Sequence, residues 1–74
     1  MYFVVRVNFN QQGQQSNSIQ MFTDLVQAQK RYYNILAADI DKDEFQYELV
    51  QIVDRSGIVL MNQVFDNAVQ PNEV

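Results

Sequence analysis

Apolar residues near the start of the chain recur at every second position, a pattern that is typical of a β-strand. Within Tyr2–Phe9, one face carries Phe3, Val5, Val7 and Phe9, and the other carries Tyr2, Val4, Arg6 and Asn8. These β-branched and aromatic side chains suit a pleated sheet, so we predict a first strand here. The polar stretch 10–17 contains Gly13 and predicts a turn or loop. Ser18–Phe22 alternates more weakly and predicts a short strand returning beside the first.

A longer-period pattern follows and predicts one amphipathic helix. Thr23 or Asp24 can cap its first turn, because a side-chain oxygen there accepts an unpaired backbone N–H. The stretch contains neither Gly nor Pro, and apolar residues recur at spacings of three and four. These residues are Leu25, Ala28, Tyr32, Leu36 and Ile40, with Ile35 widening the stripe. Aspartates oppose the helix dipole at its C-terminal end, so the helix should end near Asp39 or Asp41.

Two further strands are predicted over Phe45–Val53 and Ile58–Phe65, on either side of the sequence Asp54-Arg55-Ser56-Gly57. Asp favours the first position of a type I turn and Gly the fourth. A type I turn followed by a left-handed Gly joins strands as a bulged hairpin. This turn is the most specific local signal in the chain.

Together these elements predict an α+β fold, in which an antiparallel sheet of three to four strands carries one amphipathic helix on one face, in the order β-(β)-α-β-β. We expect a single domain over 1–66 and a frayed C-terminal tail over 67–74, which is polar and contains Pro71. The first and last long strands are expected to be neighbours in the sheet.

The predicted strands are apolar on both faces, although an antiparallel sheet with one wet face should alternate apolar and polar residues. One helix covers one face, and the remaining patch exceeds what monomers usually expose. We therefore predict a homodimer whose interface contains Val59, Met61, Phe65, Val50, Ile52, Tyr2 and Val4. The alternatives are a different protein on this face, or coverage by the tail or the 10–17 loop.

Composition narrows the chemistry. The 74 residues include no Cys and no His, which removes disulfides, thiolate metal sites and the usual acid–base side chain near neutral pH. The net charge is −4 and the five basic residues are scattered, so nucleic-acid binding is not expected. No apolar run approaches the length of a membrane helix. We expect a soluble cytoplasmic protein without membrane contact, cofactor, metal or enzymatic activity.

Two side-chain groups are candidates for binding. The acidic residues Asp39, Asp41, Asp43 and Glu44 would form a solvated helix end, a surface for a basic partner or a weak cation site. A calcium loop is excluded, because the positions requiring Gly and Glu hold Glu44 and Val50. The alternative group combines aromatic rings with cations that could hold a nucleotide-like ligand: Tyr33, Arg31, Arg6 and Tyr47.

The helix sequence over 25–37 and the hairpin over 49–57 resemble small proteins encoded by bacteriophages and prophages of gut Firmicutes. The resemblance implies a phage accessory protein that acts by binding in the host cytoplasm, as anti-defence inhibitors do. We therefore expect a homodimer that occludes a host protein. The alternatives are a homo-oligomer that sequesters a small nucleotide-like ligand at its subunit interface, and a structural or assembly subunit.

Overall fold

The structure is a computed structural model that describes residues 1–39 and 45–66. The strands are β1 (Tyr2–Asn10), β2 (Gln15–Phe22), β3 (Phe45–Asp54) and β4 (Val59–Asp66), and the helix α1 spans Leu25–Asp39. The predicted α+β class and order of elements are confirmed. The observed β2 is longer than the predicted strand, because its polar first half also pairs with β1.

The sheet has the order β2-β1-β3-β4, and every neighbouring pair is antiparallel. The expected adjacency of the first and last long strands is therefore wrong, because β3 lies between them and β4 forms an edge. Since β2 and β3 both run antiparallel to β1, they run in the same direction. The helix thus joins two parallel strands that have one strand between them, an arrangement that needs a crossover over one face of the sheet.

The two hairpin turns have the same construction. In the predicted turn, the backbone N–H of Gly57 donates to the carbonyl of Asp54, and the N–H of Asp54 donates to the carbonyl of Ile58. Asp54 Oδ1 also accepts the backbone N–H groups of Ser56 and Ile58, at 2.8 and 3.0 Å. Gly57 has a φ of 84°, which confirms the predicted bulged hairpin.

The turn between β1 and β2 repeats this pattern with an amide in place of the carboxylate. Gly13, with a φ of 82°, donates to the carbonyl of Asn10. Asn10 Oδ1 accepts the backbone N–H groups of Gln12 and Gln14, each at 2.9 Å. The shared spacing Asn/Asp-x-x-Gly is visible in the sequence. Applied to Asn10 and Gly13, it predicts a second bulged hairpin and a β2 that begins close to Gly13.

Two bulges change which face a side chain occupies. Met61 lies opposite Ile52 and Val59 lies opposite Val53, so the strand has one extra residue, Leu60, at this point. Val59 and Met61 are two positions apart but lie on opposite faces, although both were predicted to lie in one dimer interface. A second irregularity places Phe45 opposite Asn10 and therefore on the helix side of the sheet.

The core lies between α1 and the two central strands. Its buried apolar residues are Val4, Ala28, Tyr32, Ile35, Val50 and Ile52. Tyr2, Phe22, Leu25, Leu36 and Met61 pack around them. Most of the predicted helical stripe is therefore confirmed, whereas Ile40 and the 67–74 tail lie outside the described residues.

Candidate functional site

The side of the sheet opposite α1, here called the helix-free face, is apolar over all four strands. Alternation and strand pairing assign its apolar side chains to Phe3, Val5, Val7 and Phe9 of β1, Ile19 and Met21 of β2, Tyr47, Leu49 and Val53 of β3, and Val59 and Val64 of β4. Several are far more exposed than core residues, with 67% of Ile19, 56% of Met21 and 48% of Val59 accessible. The described part of the chain thus presents a broad, partly exposed apolar surface.

The charged side chains of residues 1–39 and 45–66 lie almost entirely away from the helix-free face. Among the described residues, the one charged side chain that strand pairing assigns to the helix-free face is Asp66, opposite Tyr47 at the end of β4. Its polar residues are uncharged amides, and two of them, Gln51 and Asn62, hydrogen-bond to each other at 3.2 Å. Depletion of charge over an apolar patch is the compositional mark of an interface core.

The helix-covered side contains a buried ionic cluster at the C-terminal end of α1. Arg6 Nη2 lies 2.7 Å from Asp39 Oδ2 and 3.2 Å from Glu48 Oε2, and Arg6 Nε donates to the same Glu48 oxygen at 3.3 Å. The carboxylate-bearing side chains are 4% and 1% exposed, and that of Arg6 is 25% exposed. One guanidinium therefore connects the helix end to both central strands.

Glu48 is the electrostatically unusual member of this cluster. Burial, together with a hydrogen bond to Asp39, raises the pKa of Glu48 to about 7, and the neighbouring Arg6 only partly offsets this. Its Oε1 is buried without a hydrogen-bond partner among the described atoms. A proton on this carboxyl group gives Glu48 a donor for Asp39, so near neutral pH Glu48 is protonated for part of the time.

Beside the cluster is an open cleft of about 310 Å³, lined by Arg6, Asn8, Ser16, Asn17, Ser18 and Phe45. The Arg6 guanidinium lies 5.5 Å from the centre of the Phe45 ring. Its charge is already engaged by two carboxyl groups, which weakens the attraction of the cleft for an anion. We therefore assign Arg6 to holding α1 on the sheet.

The predicted dimer interface does not form one surface. Val4, Val50 and Ile52 are 2%, 0% and 0% exposed beneath α1, so their assignment to an interface is wrong. Tyr2 and Met61 also pack against the core, and Phe65 lies opposite Glu48 on the same side. Of the predicted set, Val59 alone lies on the helix-free face. The error arises because the sequence alone did not show which face of the sheet α1 covers.

Of the predicted acidic partner surface, Asp39 alone lies among the described residues. Asp39 is buried and paired with Arg6, so its assignment as a contact for a basic partner is wrong. Asp41, Asp43 and Glu44 lie outside the described residues. Among residues 1–39 and 45–66, no group of three or more potential ligands could hold a metal ion.

The alternative nucleotide-binding residues do not converge within one chain. Tyr47 packs near Phe9 on the helix-free face, with ring centres 6.2 Å apart, whereas Arg6 lies on the opposite face. Arg31 donates to Gln20 Oε1 at 2.6 Å beside β2. Tyr33 is 53% exposed on α1. Sequence spacing could not show this separation, because it does not reveal which faces of β1 and β3 the helix covers.

No family model matches the chain, and neither does any curated protein or solved structure. Among the described residues, α1 is the one helix, and it does not have the length and apolar character that a membrane crossing requires.

Proposed function

We propose that the protein is a non-enzymatic interaction module that works as a homodimer, with two copies stacked through their helix-free faces. The observation that carries this proposal is the apolar, nearly charge-free side of the sheet opposite α1. Domains normally bury each apolar sheet face against another layer. A second copy supplies a matching neutral apolar layer without opposing like charges, and homodimers with twofold symmetry are the commonest oligomers.

The dimensions of the face are adequate for such a dimer. Four strands about 4.8 Å apart, each with about eight residues rising about 3.3 Å, span roughly 500 Å². Two stacked faces would bury about 1,000 Å² in total, which is the lower limit for a specific interface. The proposal therefore uses nearly the whole helix-free face, so one charge introduced on any of its strands should be sufficient to disrupt it.

The test introduces a lysine at Val64, which is opposite Leu49 and 37% exposed in the single chain. Because Val64 is already partly accessible, Val64→Lys should fold but weaken association at least about 100-fold, since it desolvates an unpaired charge. Val26→Lys is the matched control, because Val26 is 52% exposed on α1. Sedimentation equilibrium measures the association, and circular dichroism measures folding. Unchanged association of a folded Val64→Lys variant would refute the stacked dimer.

The biological role that goes with this dimer is occlusion of a host protein, as the resemblance to phage proteins suggests. The stacked arrangement would place both α1 helices on the outside, where Val26 and Tyr33 are exposed. This role stays a prediction.

A further inference from the structure

The two edges of the sheet differ in how well they are protected against pairing with another strand. Edge strands are normally blunted by charges, prolines or bulges. β4 has a bulge at Leu60 and ends at Asp66. β2 has the sequence QSNSIQMF, with no charge, no proline and an unbroken register of eight pairs with β1. Seven of its eight residues are exposed. β2 is therefore an open edge.

The hairpin fixes which backbone groups of β2 point outward. The N–H of Asn10 donates to the carbonyl of Gln14 and its carbonyl accepts the N–H of Gly13, so both groups point toward the β2 side of β1. Hydrogen-bonded positions alternate along an antiparallel pair. The backbone N–H and carbonyl groups of the even-numbered residues of β1 therefore point toward β2, and those of their partners in β2 point back toward β1. Within β2, the residues paired inward are Ser16, Ser18, Gln20 and Phe22. The outward N–H and carbonyl groups consequently belong to Gln15, Asn17, Ile19 and Met21.

We propose that this edge pairs with β2 of a second copy, antiparallel about a twofold axis at Ser18. In this register Asn17 lies opposite the partner's Ile19, and Gln15 lies opposite the partner's Met21. All four outward residues of each chain then bond to outward residues of the other, giving about eight hydrogen bonds. No like charges meet, because β2 carries none.

A twofold axis perpendicular to the sheet keeps each face on its own side. The two helix-free faces would therefore join into one continuous surface across eight strands, which could stack on a second such sheet. Edge pairing and face stacking together close as a tetramer with three perpendicular twofold axes, the commonest symmetry after simple dimers. The edge contact rests on the backbone of β2 and not on the apolar side chains that carry the stacked dimer.

The test removes one outward donor while leaving the internal ladder intact. Asn17→Pro deletes an N–H that points to solvent, and a proline is tolerated at such a position of an edge strand. Asn17→Ala is the matched control, because it keeps the N–H and loses the same side-chain bond to Gln15. Asn17→Pro should weaken edge pairing about 10- to 100-fold, the loss expected for two hydrogen bonds across the twofold axis.

Sedimentation equilibrium on the full chain separates the two contacts, and circular dichroism verifies that each variant is folded. The wild type should reach four chains of 8.7 kDa. Asn17→Pro should stop at the stacked dimer, Val64→Lys should stop at the edge dimer, and Asn17→Ala should match the wild type. Edge pairing is overturned if Asn17→Pro associates like Asn17→Ala, or if Val64→Lys is a folded monomer at high micromolar concentration. If Val64→Lys associates like the wild type while Asn17→Pro does not, the stacked dimer is overturned and edge pairing is not.

Discussion

The buried carboxyl group of Glu48 makes the stability of the fold depend on pH in an unusual direction. Its pKa rises from an ordinary 4.5 to about 7 on folding, mainly because burial disfavours the charged form. Between these values the folded state binds more protons than the unfolded state. The free energy of unfolding therefore falls as pH rises from about 4.5 to 7, and it levels off above that range.

The size of the effect follows from the same values. A tenfold change in proton affinity corresponds to about 1.4 kcal/mol, so the full change from 4.5 to about 7 is worth about 3 kcal/mol. The side chains of Arg6 and Asn8 on β1 donate hydrogen bonds to Glu48, and Arg6 also donates to Asp39 on α1. A loss of this size is a large fraction of the stability of a small domain.

The assay is urea unfolding followed by circular dichroism at several pH values from 4.5 to 8. All samples have one fixed protein concentration, because the proposed association would also stabilise the fold. Glu48→Gln removes the titrating proton but retains a donor for Asp39 and an acceptor for Arg6. It should match the wild type near pH 4.5 and exceed its free energy of unfolding by up to about 3 kcal/mol at pH 8. Asp24→Asn is the charge control, because Asp24 is exposed at the opposite end of α1. A wild type whose stability changes with pH in parallel with Glu48→Gln would refute the reasoning.

Three further predictions concern the framework. Arg6→Met should destabilise the fold by about 3–5 kcal/mol at pH 8, because it leaves two buried acids without their cation, and by less at pH 5; urea unfolding measures both values. Gly13→Ala and Gly57→Ala should each lower the free energy of unfolding by about 1 kcal/mol, because the φ angles of these glycines are 82° and 84°. No atom lies near the added methyl group, so backbone strain accounts for the whole loss, which thermal melting measures. Tyr32→Ala should lower the free energy of unfolding by about 3–5 kcal/mol, because the Tyr32 ring is buried. Tyr33→Ala should lower it by well under 1 kcal/mol, because the Tyr33 ring is exposed. A smaller loss for Tyr32→Ala would contradict the assigned core.

Local patterns predicted the elements because each element is encoded by neighbouring residues. The Asp54-x-x-Gly57 spacing gave the second hairpin and its turn type, and the stripe through Ala28 and Tyr32 gave the buried side of α1. The expected order of strands was wrong because adjacency is decided by distant segments. Single-residue bulges at Leu60 and near Phe45 were also missed, because alternation alone does not show an inserted residue.

The face covered by α1 was the decisive missing information. Counting apolar side chains favours the row Phe3 to Phe9 as the covered face, but the helix covers the opposite face, which carries Arg6, Asn8 and Glu48. Connectivity supplies a physical reason. A helix that joins two parallel strands of one sheet crosses with right-handed geometry in about 98% of cases, so chain direction fixes its side whatever the balance of hydrophobicity.

The sequence alone would have shown which face α1 covers only if β2 and β3 had been recognised as parallel strands separated by β1. That relation depends on pairing between β1 and β3, which begins at Tyr2 opposite Asp54 and is distant in the chain. The acidic residue at the helix end was a usable signal. Asp39 falls on the buried stripe four residues after Ile35, and a buried acid on a helix requires a cation on the element it covers.

The ionic cluster also explains how a sheet with two apolar faces can specify one position for its helix. Without Arg6, Asp39 and Glu48, both faces would offer α1 a comparable apolar surface, and packing alone would discriminate weakly between them. Docking on the helix-free face would bury Asp39 without its guanidinium, a cost of several kcal/mol, and would leave Arg6 and Glu48 without the helix carboxylate. We infer that the cluster contributes specificity more than net stability. The same choice leaves the more apolar and less charged side of the sheet without the helix, which is why we propose that a second copy binds there.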